Sequence, residues 1–258
     1  MTKVMKFILP LLLTLCLYGE EALNLNRHEF GMGPEIICLT RTKKGGTVQD
    51  AVAGGVTAKY NRFKRYSWYW GGEGAWSYGK LHGKTGADET IRSNFYDTWV
   101  EGRLGYTFQQ KDERQASFTP FIGAGYVWEN NNFVAPSPLE LHFKTHFPYL
   151  CTGFLLWFHL FENWEVGLNM KIRYPWEPRT DVSHDPENTS LTQNVWACTH
   201  TRVELPITYR LTCEGIFALS FIPFYEYRRY GTHPNFPFNF YKTEFNLWGA
   251  AFEFLYRM

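Results

Sequence analysis

The chain lacks any run of about 20 apolar residues, so no segment of it reads as a membrane-spanning helix. It also lacks charge of one sign: 26 Lys and Arg stand against 25 Asp and Glu, a net charge of +1. That balance gives no basic stripe for a nucleic-acid backbone. No P-loop, dinucleotide fingerprint or metal-binding spacing is present, so neither cofactor nor metal is expected. Cysteine is sparse. Of 5, Cys16 lies in the leader described below, and Cys38, Cys151, Cys198 and Cys213 match no metal or redox motif. In an oxidising compartment they could form a disulfide, stay free or pair between molecules.

Aromatic residues, by contrast, are abundant at 19% of the chain, with 10 Trp, 16 Tyr and 22 Phe, a composition that favours strands. Residues 164–176, WEVGLNMKIRYPW, place Trp164, Val166, Leu168, Met170, Ile172, Tyr174 and Trp176 on one face and Glu165, Asn169, Lys171 and Arg173 on the other. Residues 199–213 alternate with the opposite parity: Val203, Leu205, Ile207, Tyr209 and Leu211 against His200, Arg202, Glu204, Thr208 and Arg210. Strands of globular domains usually run about 5 to 6 residues. Thirteen residues at about 3.4 Å each, tilted near 40°, rise roughly 34 Å, enough to cross the apolar band of about 25 Å in an outer-membrane barrel. A slightly negative mean hydropathy is no objection, since lipid-facing and lumen-facing residues alternate and cancel.

Residues 1–22 read as a secretory signal peptide: Lys3 and Lys6 precede an apolar run from Phe7 to Leu17, with Gly19 and Ala22 as small residues where cleavage could occur. Residues 23–258 then read as one domain, an all-β, closed, antiparallel up-and-down transmembrane barrel in the bacterial outer membrane. Strands are expected at about 48–62, 66–80, 92–109, 117–130, 147–161, 164–176, 199–213, 215–230 and 241–258. Single-chain bacterial barrels have an even strand number. Residues 35–41 are the candidate for a tenth strand, with eight strands as the alternative. Short connections at 62–65, 111–116, 162–163 and 214 alternate with long ones at 83–91, 131–146, 177–198 and 231–240, as periplasmic turns alternate with extracellular loops.

Strand parity sends Glu73, Asp97, Glu101, Glu129, Glu165, Glu204, Glu226 and Glu253 inward, with Lys59, Arg103, Lys171, Arg173, Arg202, Arg210, Arg228 and Arg257. His159, His200, Ser93 and Ser220 share that face, as do Phe95, Trp99, Phe121 and Trp157. A barrel of eight to ten strands is narrow enough to fill with its own side chains, and buried charges are costly unless paired. The even balance therefore points to a plugged interior rather than a diffusion pore. Phe118, Tyr126, Trp128, Trp164, Tyr174 and Trp176 fall at strand ends, where aromatic girdles meet the membrane interfaces.

The last strand, WGAAFEFLYRM, carries Gly249, Phe252, Phe254 and Tyr256 and resembles the C-terminal signal that hands such barrels to the barrel-assembly machinery; that group mostly ends on Phe or Trp, and this chain ends on Met258. Segments such as GRLGYTFQQKDERQASFTPFIGAGYVW resemble the small barrels typified by the OmpA transmembrane domain and related surface antigens. That resemblance implies an outer-membrane lipid environment and roles in anchoring, adhesion or envelope integrity. In strand number the chain is also similar to the omptins, surface proteases with an acidic pair facing an Asp and His pair at the outer rim. Asp88 and Glu89, with Asp181 and His184, would be the counterparts, although omptins space Asp and His two apart and here the spacing is three. Loop residues Asn131, Asn132, Phe133, His142, Phe143 and His146 mix polar and aromatic groups suited to a host or surface ligand. The expectation is a structural or surface-interaction protein, with a narrow pore or an omptin-like protease as alternatives.

Overall fold

A computed structural model describes residues 27–109, 116–138, 140–161, 163–185, 190–196, 199–212, 215–231, 234–235 and 240–258. The segment 1–22 expected to be a signal peptide, and Cys198 and Cys213, lie outside these residues.

Every element among them is a strand: β1 (Arg27–Lys43), β2 (Thr47–Phe63), β3 (Ser67–Lys84), β4 (Thr90–Gln109), β5 (Ser117–Val134), β6 (His142–Phe161), β7 (Trp164–Pro175), β8 (Arg179–Ser183), β9 (Ser190–Asn194), β10 (Thr199–Glu204), β11 (Ile207–Arg210), β12 (Phe217–Tyr230) and β13 (Thr243–Arg257). All pairings are antiparallel. Each strand from β1 to β6 pairs with the next, β6 pairs with β7, β7 with both β10 and β11, these with β12, β12 with β13, and β13 with β1. The ring closes, so the wall has no free edge. Since β10 and β11 together make one staggered wall strand, ten strands span the barrel and β8 with β9 form an outer hairpin.

Three sequence expectations change. The first strand begins at Arg27 rather than at 35, and all 17 of its residues pair with β2. The strand expected at 199–213 is interrupted at Pro206, which has no N–H to donate to the ladder. There Leu205 N–H donates to Pro223 O at 2.9 Å and Gly167 N–H to Pro206 O at 2.8 Å, keeping the wall sewn across the break. Finally, the connections expected at 131–146 and 177–198 are partly strand, because β5 and β6 extend into the first and β8 and β9 lie in the second. In the tight β1–β2 connection Gly45 and Gly46 take φ of 106° and 88°, conformations that a side chain would strain.

The outer surface carries an apolar belt. Met32, Ile36, Val52, Val56, Val100, Leu104, Ile122, Leu150 and Leu219 are exposed there. Aromatic rings border it at both ends. Phe30, Tyr60 and Trp70 cluster near the termini, with Trp68 against Tyr106, Phe118 against Phe154, and Trp164 against Tyr209. At the other border Tyr78 meets Tyr96, Tyr126 meets Trp128 and Tyr225 meets Trp248. On β13 the two borders fall at Tyr256 and Trp248, about 21 Å of height at about 3.4 Å per residue and a tilt near 40°. Beyond the second border the outer face turns polar, as in the Thr40 to Asp50 hydrogen bond of 2.6 Å.

Candidate functional site: a sealed lumen and its outer mouth

Alternation within each strand delivers the charges to the interior, where they sort into tiers. Nearest the termini, Arg257 grips Glu165 through two parallel bonds of 2.9 and 2.8 Å and donates to Glu29 at 2.8 Å. Arg27 reaches the same two carboxylates at 3.3 and 3.4 Å, and Lys59 holds Glu253 at 2.5 Å. Arg210 stands 3.9 Å from Glu165 and 3.0 Å from His159.

At mid-height Arg103 pairs with Glu73 and with Glu101, the latter at 2.5 Å, and Lys171 reaches both carboxylates at 3.2 and 3.6 Å. Arg173 bridges Glu101 to Glu226 at 3.2 and 3.3 Å. Arg202 holds Glu204, Glu226 and Glu35 at 2.6, 3.1 and 3.3 Å. Trp99 lies under this tier, with Arg173 4.2 Å and Lys171 4.4 Å from its ring centre, a geometry that strengthens when water is excluded. Gly125 makes room for Tyr149. A Cβ there would stand 2.4 Å from the Tyr149 hydroxyl, which donates to Glu101 at 2.9 Å.

Higher still, Arg228 binds Glu226 at 2.7 Å, Asp97 at 2.6 Å and Glu129 at 3.6 Å. His200 sits edge-on between Phe147 and Tyr230. Above this tier Leu39, Leu81, Phe95, Phe147, Phe245 and Leu247, each 2% exposed or less, close the barrel with an apolar plate. Two spaces among the charges measure about 20 and 10 Å³, room for about one water each. Arg27 and Glu29 escape the sequence reading because it starts the strand at 35, and Glu35, the first residue of that candidate, has no assigned face there. The same alternation, extended through RHEFGMGPE, would have found them.

A cavity of about 260 Å³ lies outside the plate, at the end opposite the termini. Arg41 and Lys43 of β1, Ile91 of β4, Phe133 of β5 and Phe143 of β6 line it, and the connections 85–89 and 135–141 border it through Thr85, Glu89, Ser137, Pro138 and Leu141. Arg41 is 8% exposed and donates to Gln49 at 2.8 Å, while its Nε finds no acceptor. Burial, with Arg41 beside it, pushes the Lys43 ammonium down to about 8.

On the outer wall above the belt, Asp181 accepts a hydrogen bond from Thr192 at 2.7 Å and stands 3.8 Å from His146 Nδ1. His184 lies against His142, with ring centres 4.0 Å apart and the rings tilted by 37°, and is 3.3 Å from Ser183 Oγ. Burial, and then the proximity of His184, lowers the His142 pKa. Asp88 is held by Lys84 at 2.7 Å, and Glu89 borders the mouth cavity. Asp181 and His184 thus face different partners, and Asp88 and Glu89 are on the connection between β3 and β4. Of the expected ligand-contacting residues, Asn132, His142 and His146 occupy outward positions. Asn131, Phe133 and Phe143 turn inward by strand parity. Ser93 accepts from Gln49 at 3.3 Å and Ser220 bonds Thr208 at 2.9 Å, so neither serine is paired with a histidine. Among the described residues no group of three His, Cys, Asp or Glu is arranged to hold a metal. Cys151 is buried and Cys38 exposed, and both are free thiols.

The rings expected at the interfaces, Phe118, Trp128, Trp164, Tyr174 and Trp176, are 43 to 63% exposed on the outer face. Phe252, Phe254 and Tyr256 share that face, whereas Gly249 faces inward, where an added Cβ would meet the Phe224 ring at 2.4 Å.

No model of a known protein family matches the chain, and no curated protein matches it. Solved structures do. The outer membrane protease OmpT from Escherichia coli superposes with a TM-score of 0.56 at 10% identity, covering 92% of this chain and 99% of that one. The translocator domain of the autotransporter NalP from Neisseria meningitidis gives 0.50 at 7% identity, covering 92% and 90%. At these identities the likeness is one of fold, and the fold is that of bacterial outer-membrane β-barrels.

Proposed function

We propose that this chain is an integral protein of the bacterial outer membrane, exported by its leader and inserted by the barrel-assembly machinery, that acts at the cell surface as a structural or interaction protein. The observation that carries this reading is the contrast between a shut interior and a built exterior. Among the described residues, charge tiers and an apolar plate fill the interior. On one side, however, the wall continues past the aromatic border as a sheet of β5, β6, β8 and β9, with His146 to His142 pairing across Arg179 to Ser183. Six residues of strand beyond Pro148 add about 15 Å of height at the usual rise and tilt. That sheet raises Arg179, Asp181, His142 and His184 clear of the membrane, where a partner can reach them.

The pore alternative is disfavoured by the packed ion pairs, among which spaces of about 20 and 10 Å³ remain. The protease alternative is disfavoured by Asp181 facing His146 and His184 facing His142. Deleting 180–195 should abolish adherence of cells displaying the protein to immobilised matrix proteins and glycans, while the barrel still shifts on a gel when boiled. Undiminished adherence by the shortened protein would overturn the proposal.

A further inference from the structure

The lumen cations are paired with carboxylates tier by tier, but those of the outer mouth are not. Arg41 and Lys43 have no carboxylate within ion-pair distance among the described residues, and the Arg41 guanidinium is over nine-tenths buried. Its contacts are the Gln49 carbonyl at 2.8 Å and the faces of Phe133 and Phe245 at 5.9 and 5.7 Å. A buried charge held by an amide and two rings, with the Glu129 carboxylate near but beyond ion-pair distance and Nε without an acceptor among the described residues, is costly. It also borders a cavity with apolar walls that is open to the outside. An anion entering there would supply the missing partner.

We propose that the outer-mouth cavity binds a small amphipathic monoanion, a carboxylate on an aromatic or short aliphatic body, with Arg41 and Lys43 holding the carboxylate and Ile91, Phe133, Leu141 and Phe143 enclosing the body. The size suffices: on the measure by which about 10 to 20 Å³ holds one water, about 260 Å³ has room for well over a dozen, ample for a single ring bearing a carboxylate. A dianion such as phosphate fits less well, because Glu89 stands at the rim and most of the lining offers no donors. Pockets of this composition, apolar with a few convergent polar groups, are the usual form of small-molecule sites.

Lys43 gives the site a pH signature. The charged group lining the cavity from its own strand is Arg41, and from the β3–β4 connection it is Glu89; Thr47 on β2 and Thr243 on β13 bring no charge. Its ammonium is present below about 8 and lost above it, so affinity for a carboxylate falls as pH rises through that value.

The test is calorimetric titration of the detergent-folded, heat-modifiable full barrel with phenylacetate and with its neutral isostere phenylacetamide. Phenylacetate should bind, and both the amide and the Arg41→Gln variant should lose about tenfold or more, the usual worth of a charge-assisted hydrogen bond. Lys43→Gln lies at the strand end and asks little of the fold. It should weaken binding less and flatten the decline above neutral pH. Absence of phenylacetate binding at about 10 mM, where even a millimolar site would saturate, would overturn the proposal. So would equal affinity for the amide, or an unchanged affinity and pH profile in Lys43→Gln.

Discussion

At the scale of single residues, the interior is held by charges that each serve several partners. Arg202 touches three carboxylates and its guanidinium lies 3.9 Å from the Phe224 ring centre. Arg202→Met keeps the bulk and removes the charge, leaving Glu35, Glu204 and Glu226 facing one another. Breaking one side of a buried pair costs about 3 to 5 kcal/mol, and the urea midpoint of the barrel in vesicles should fall accordingly. Adding Glu204→Gln to that variant should recover part of the loss, because it removes one stranded carboxylate. A midpoint unmoved by Arg202→Met would mean that this tier is solvated rather than packed. Residue parity alone identified most of these groups, since a strand offers only two faces. It could not reveal which cation meets which carboxylate, because those contacts join strands far apart in the chain, as Arg228 to Asp97 does at 2.6 Å.

At the scale of elements, long alternating strands were legible and short or irregular ones were not. β7 announces itself by apolar and polar alternation, and β13 by the aromatic residues Trp248, Phe252, Phe254 and Tyr256 on one face. The first eight residues of β1, RHEFGMGP, hold two glycines and a proline, which weaken a strand signal although their neighbours on β2 and β13 impose the conformation. Strands β8 and β9 hide in a polar segment because, at 5 residues each, neither has the length to show a period. Their stability is borrowed. β8 pairs only with the first residues of β6 and with β9, burying Thr180 and Val182 on its inner side. Amides of 179–194 should therefore exchange with solvent at far lower denaturant than those of β12, which is paired along its whole length on one side by β13. Equal protection across both segments would show that the hairpin is part of the barrel's cooperative unit.

At the scale of the molecule, two surfaces of opposite character are built from one sequence, with apolar rings outside and ion pairs inside. A soluble β-domain would reverse that arrangement, burying its large apolar side chains. Here Met32, Val52, Ile122 and Trp248 are 62 to 70% exposed, while Arg173, Arg228 and Glu226 are 2% exposed or less. Such an outer face is stable only against another apolar medium, and its two aromatic borders set the thickness of that medium. The claim that lipid surrounds the belt is tested most directly by fluorescence quenching. With Cys38, Cys151, Cys198 and Cys213 replaced, a single environment-sensitive probe is attached through Ile122→Cys in the belt or Ala87→Cys in the β3–β4 connection, and the folded protein is placed in vesicles. Quenchers carried on acyl chains should extinguish the probe at 122 and spare that at 87, with aqueous iodide doing the reverse. Iodide reaching both positions equally, with no response to the lipid-borne quencher, would contradict a membrane-spanning barrel.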